Sequence, residues 1–168
     1  MSIQTSVMPE SQAGWGIILL TLLMALAMKL LPWSGWGLTL RPDFLLVVLL
    51  VWAQKRPSLV GMALAWPLGL LADIQDGVVL GQHALGYVVG VYLVQYLHRR
   101  LMQFALPFQA MHIFVILLLV EVVTLVIGWI SGRTPQFGTL FTAAPVGAVL
   151  WYMVAYLGKI PAAGKRSG

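Results

Sequence analysis

The chain has 168 residues, 60% of them hydrophobic and 9% charged, with a mean hydropathy of +0.91. A soluble domain carries about a quarter charged residues, so these charges are too few to cover a water-soluble globule, and lipid must cover much of the surface. The net charge of +5 is scattered in ones and twos without a continuous basic face, which excludes a nucleic-acid reader, and the lack of cysteine excludes disulfides and thiol chemistry.

In chain order, apolar runs predict an all-α polytopic membrane protein: one domain over 1–168 with six transmembrane helices. They are placed at about 15–31, 43–54, 58–72, 80–97, 109–130 and 139–157, with short tails 1–13 and 158–168. The first run ends at Pro32-Trp33-Ser34-Gly35-Trp36, where Trp suits the membrane interface. Residues 1–13 hold Glu10 but no Lys or Arg, so the basic start of a signal peptide is missing and a retained span is expected.

The second and third runs are shorter than the roughly 20 residues a full span needs, and the third contains Pro67. A re-entrant hairpin would draw Lys55 and Arg56 into the membrane, at about 2.5–3.5 kcal/mol each on insertion scales. Two short, tilted spans avoid that cost. No run shows the alternation of a membrane β-barrel.

Six spans place seven basic residues on one side: Lys55, Arg56, Arg99, Arg100, Lys159, Lys165 and Arg166. The other side receives Arg41, Arg133 and Lys29, the last able to snorkel from the end of the first helix. The positive-inside rule then puts both termini in the cytoplasm. Asp43, Asp73 and Asp76 fall on the outer side and bring its formal charge to zero, which suggests local pairing such as Arg41 with Asp73.

Three constellations could carry chemistry. Arg41-Pro42-Asp43-Phe44 enters the second helix: Pro suits a first turn, and Asp43 lies near the positive helix end. The segment from Gly69 to Gly81 carries Asp73 and Asp76, i,i+3 neighbours on one face if the helix continues, with Gly77 and Gly81 permitting a tight turn. Structural pairing is preferred here over catalysis, because no His-x-Glu or Asp-rich loop completes a metal site. Glu121, mid-span in the fifth helix, is read as a packing carboxyl rather than a proton relay, with Thr124 its only polar neighbour on that face. His83, His98 and His112 share no i,i+4 spacing, and no nucleophile triad, phosphate loop or cofactor motif is present. No enzyme, cofactor or metal is expected.

Small residues recur at helical spacing: Gly61 and Ala65, Gly86 and Gly90, Ala143 and Gly147. In lipid such stripes let backbones approach closely. The concentration of Gly61, Gly69, Gly86 and Gly90 makes the third and fourth helices a candidate partner face.

Arg41-Pro42-Asp43 running into Leu45-Leu46-Val47-Val48-Leu49-Leu50 resembles the start of the second helix in the MreD family of bacterial rod shape-determining proteins. Gly69-Leu70-Leu71-Ala72-Asp73, then Leu80-Gly81 and Ala84-Leu85-Gly86-Tyr87, resembles that family's junction between helices three and four. The resemblance is clearest from Arg41 to Leu97, with Glu121 the further point of likeness beyond Ala110. It implies a non-enzymatic inner-membrane scaffold of the rod complex, the elongasome. Such a scaffold binds MreC, acts beside RodA, a class B penicillin-binding transpeptidase and MreB, and helps direct side-wall peptidoglycan synthesis. It also implies a fold like the substrate-binding subunit of energy-coupling-factor transporters. A vitamin-carrying subunit is therefore the alternative, with Trp33, Trp36, Arg41 and Asp73 as its possible pocket.

Overall fold

The computed structural model describes residues 10–31, 42–133 and 138–157. Among them stand seven helices and no strand: α1 Glu10–Leu30, α2 Phe44–Lys55, α3 Met62–Asp76, α4 Gln82–Tyr96, α5 His98–Leu101, α6 Leu106–Ile130 and α7 Gly138–Leu157. The all-helical reading of the sequence holds, with one addition. The four-residue α5 forms in the basic loop after α4, where hydropathy gave no span. Of the described helices, α6 is the one long and apolar enough to cross a membrane by itself, while Gly14–Leu30, α2 and Thr142–Leu157 are shorter apolar helices.

The shortest of the long elements is the most central. α2 packs against α1, α4 and α7, and eight of its twelve residues are buried, among them Leu45, Leu46, Leu49 and Leu50. A helix that is apolar all round belongs inside a bundle, so α2 touches little lipid and need not match its thickness. The second hub is α4, which packs against α3, α2 and α6, while α7 lies on α6. Large apolar side chains face outward along α1 (Leu19, Leu20, Leu23, Met24) and α6 (Val115, Leu119, Val122, Val126).

Close contact between α4 and α6 depends on the glycine stripe. A methyl group at Gly86 would meet Thr124 Cγ2 at 2.9 Å and Val120 Cγ1 at 3.0 Å, and one at Gly90 would meet Val120 Cγ2 at 3.0 Å. Both glycines are buried inside the chain. Their close approach is therefore made to the protein's own α6, which corrects the expectation that they form an outward partner face.

Candidate functional site

The 69–84 segment folds as two helices joined by a tight turn, and its marked residues each meet a specific need. Gly77 (φ 59°) closes α3 in the left-handed conformation. Val78 N donates to Asp73 O at 3.0 Å and Gly77 N to Ile74 O at 3.3 Å, the paired bonds of a Schellman ending. Gly81 (φ 103°) then begins α4 without a side-chain cap of its own.

The missing cap comes from α3. Asp73 is fully buried, and its carboxylate accepts from Gly81 N at 2.8 Å and His83 N at 2.6 Å. These are amides of the first turn of α4, which have no partner within their own helix. The positive helix end favours the buried anion, and the hydrogen bonds replace its lost water. Gly69, one turn earlier on the same face of α3, allows the approach, since a methyl there would overlap the Ala84 backbone. Glycine and aspartate four residues apart thus act together: one admits the helix start and the other caps it.

The i,i+3 pair is bridged by a residue that its spacing did not reveal. His83 Nδ1 lies 2.9 Å from Asp73 Oδ1, and His83 Nε2 lies 3.6 Å from Asp76 Oδ2. Asp76 also meets Lys29 Nζ at 2.9 Å, and Lys29 lies 3.8 Å from Asp43 Oδ2. The Lys29 side chain is only 5% exposed. It turns into the bundle instead of snorkelling to water, because two carboxylates await it there.

Asp43 is the N-cap of α2: its Oδ1 accepts from Leu46 N at 3.2 Å, and the helix begins after it. Pro42 therefore precedes the cap and is not in the first helical turn. The second oxygen of Asp43 accepts from the hydroxyl of Tyr87, which is fully buried in α4. One polar cluster, Lys29–Asp43–Asp73–Asp76–His83–Tyr87, thereby ties the ends of α1, α2, α3 and α4.

Of the sequence-derived candidates, Pro42, Asp43, Gly69, Asp73, Asp76 and Gly81 gather at this end. Arg41, and with it the Arg41–Asp73 pair, lies outside the described residues, as do Trp33 and Trp36. Gly86 and Gly90 lie further along α4. Glu121 sits on α6 within electrostatic reach of Asp43 and Lys29. Thr124 donates its hydroxyl to the Glu121 main-chain carbonyl at 2.9 Å. Lys29, His83 and Tyr87 were missed by sequence reasoning. Arg133, at the end of α6, completes the region by donating to Gly77 O at 2.7 Å. Among the described residues, no group of three or more His, Cys, Asp or Glu side chains is placed to hold a metal.

Such an arrangement sets one lysine and one histidine against three carboxylates and locks helix ends together. Comparison with known proteins gives the same residues a family context. The family described as rod shape-determining protein MreD matches residues 10–160. The rod shape-determining protein MreD of Haemophilus influenzae is 32% identical over 113 residues, which cover 65% of this chain and 70% of that protein. No solved structure matches the chain. On both matches, the chain belongs to the MreD family of rod shape-determining proteins, bacterial membrane proteins with a role in cell shape.

Proposed function

We propose that this chain is a non-enzymatic scaffold of the rod complex in the bacterial inner membrane. It crosses the membrane six times with both termini in the cytoplasm, binds MreC, and assembles with RodA, a class B penicillin-binding transpeptidase and MreB to direct side-wall peptidoglycan synthesis. The observation that carries this reading is the polar cluster: Lys29, Asp43, Asp73, Asp76, His83 and Tyr87 engage one another across four helix ends. Groups committed in this way stiffen a surface for a protein partner, whereas a small-molecule carrier needs polar groups turned toward its ligand.

Orientation has support of its own. Lys55 at the end of α2, Arg56 after it, and Arg99 and Arg100 in the short α5 are exposed at the end of the bundle remote from the cluster, as the cytoplasmic side requires. MreC docks at the cluster end, around the turn between α3 and α4. The fold kinship with energy-coupling-factor substrate-binding subunits belongs to this proposal as architecture, not as transport.

Affinity purification from native membranes, with the co-purifying proteins identified, tests the reading. Recovery of MreC and wall-synthesis proteins is the expected result. Recovery of transporter ATPases in their place overturns it.

A further inference from the structure

The apolar stripe on the outside of α6 is continuous. Val115, Leu119, Val122 and Val126 are joined at three- and four-residue spacing by Met111 and Phe108 before them and by Trp129 after them, all exposed. Residues at that spacing share one helix face. From Phe108 to Trp129 the helix rises about 32 Å at 1.5 Å per residue, and the hydrocarbon core of a bilayer is about 30 Å thick. The stripe therefore matches the lipid tails from end to end. Trp129 marks one boundary, where an indole suits the interface, and Phe108 marks the other.

The short α5 stands beyond the Phe108 boundary. Leu101, fully buried, seats it on the bundle, while Arg99 and Arg100 beside it are exposed. The chain turns tightly afterwards: Gln103 N donates to Arg100 O at 3.1 Å and Phe104 N to Leu101 O at 3.2 Å. Phe104 then lies back along α6, its ring stacked on His112 with centroids 5.3 Å apart and 6.4 Å from that of Phe108. The two arginines are thereby held at the foot of the stripe, where the headgroups begin.

Nothing nearby in the chain answers their charge. No Asp or Glu occurs between Gly77 and Val120, and among the described residues no ion pair engages either guanidinium. Arg56, the other exposed arginine at this end, is placed differently. It follows α2, which packs against α1, α4 and α7 and has eight of its twelve residues buried, so protein surrounds that helix end. A basic bias on the cytoplasmic side requires only that all these charges stay in water. The perimeter position of Arg99 and Arg100 gives them a ligand as well. A guanidinium pairs with phosphate through two parallel N–H bonds. An acidic protein segment would answer the charge but leave the exposed Met102, Phe104 and Phe108 uncovered, whereas a phospholipid covers both kinds of surface.

We infer that Arg99 and Arg100 bind the phosphate groups of anionic phospholipids, which dock at the α5 turn with their tails along the Phe108 end of α6. The inference rests on the membrane crossing proposed above and not on MreC.

The test is native mass spectrometry of the full chain, purified in detergent without partners and titrated with phosphatidylglycerol or phosphatidylethanolamine of matched acyl chains. With no MreC in the measurement, failure here leaves the scaffold reading untouched, and failure to recover MreC from membranes leaves this inference untouched. Phosphatidylglycerol is expected to bind about tenfold more tightly, the scale that two arginines give at a negative surface. Arg99→Gln combined with Arg100→Gln removes that preference, and Arg56→Gln keeps it. Equal binding of the two lipids by the unaltered chain overturns the inference, whatever the variants do. So does a preference that survives the double change, or one lost to Arg56→Gln as fully as to the double change. Displacement of phosphatidylglycerol by inorganic phosphate or by an oligoglutamate peptide at matching concentration also overturns it, since the occupant is then a soluble anion or an acidic protein segment.

Discussion

The Lys29 ammonium lies 2.9 Å from the Asp76 carboxylate, joining the last turn of α1 to the last turn of α3. Neither residue ends its helix in bulk water, for the lysine side chain is 5% exposed and the aspartate 27%. Removing one partner of a buried pair leaves a charge without compensation, which costs about 3–5 kcal/mol. Lys29→Met is therefore expected to destabilise the detergent-solubilised protein by about 3 kcal/mol, at the lower end because Asp76 keeps some water. Combining it with Asp76→Asn should cost less than the sum of the two single changes by about 1 kcal/mol or more. A double-mutant cycle on unfolding midpoints reads this coupling, and additivity would remove the pair from the account of stability.

Asp73 and Gly69 should fail in different ways. Asp73→Ala strips the cap from α4 and leaves its first amides buried, an expected loss of about 3 kcal/mol. Asp73→Asn keeps one accepting oxygen and is expected to lose about half as much. Gly69→Ala leaves the cap chemistry intact but presses a methyl group into the Ala84 backbone, which no rotamer change relieves. Thermal unfolding should rank Asp73→Ala and Gly69→Ala together, above Asp73→Asn.

The packing of Gly86 and Gly90 on α6 predicts a rescue. Gly86→Leu drives into Val120 and Thr124 and should lower stability by about 1–3 kcal/mol, the usual scale of overpacking. Val120→Ala added to Gly86→Leu opens space and should recover part of that loss. If Gly86 faced a partner, the second change would not help, and recovery of MreC from cells would fall without any change in unfolding.

Two hydrogen bonds contrast burial with exposure. Tyr87→Phe removes a buried hydroxyl from a carboxylate and is expected to cost about 1.5–3 kcal/mol. Arg133→Ala removes an exposed contact with the Gly77 carbonyl and should cost under about 1 kcal/mol. Comparable losses from the two would show that water reaches the cluster freely.

The proposed topology predicts the same cytoplasmic side for a reporter fused after the last residue and for one inserted between Arg56 and Pro57. A reporter between Gly77 and Val78 should lie on the opposite side. Alkaline phosphatase activity, which requires export, separates these outcomes.

Which features could be read from sequence follows from how local they are. Gly77 and Gly81 mark their turn because positive φ is a property of single residues. Asp73 and Asp76 share a face because helical spacing fixes it. Lys29 eludes that kind of reading: a lysine ending an apolar run has the same sequence signature whether it reaches for water or for an acid on another helix. His83 escapes because its ligands come from α3, so no i,i+4 pattern on its own helix records them. The central place of α2 is equally silent, since an apolar run without a polar face does not say whether lipid or protein surrounds it.

The cluster also imposes an order on the making of the protein. Lys29 is synthesised before all of the acids that hold it, and Asp76 follows only after the whole of α2 and most of α3. Until α3 is delivered, the first helix carries an ammonium without Asp76 to meet it, and α4 cannot receive its cap until Asp73 is in place. The cluster end is thus closed by the chain's own later segments, so a fragment stopping after α2 would hold its lysine by Asp43 alone of the two carboxylates and would offer quality-control proteases a distinguishable half-built state.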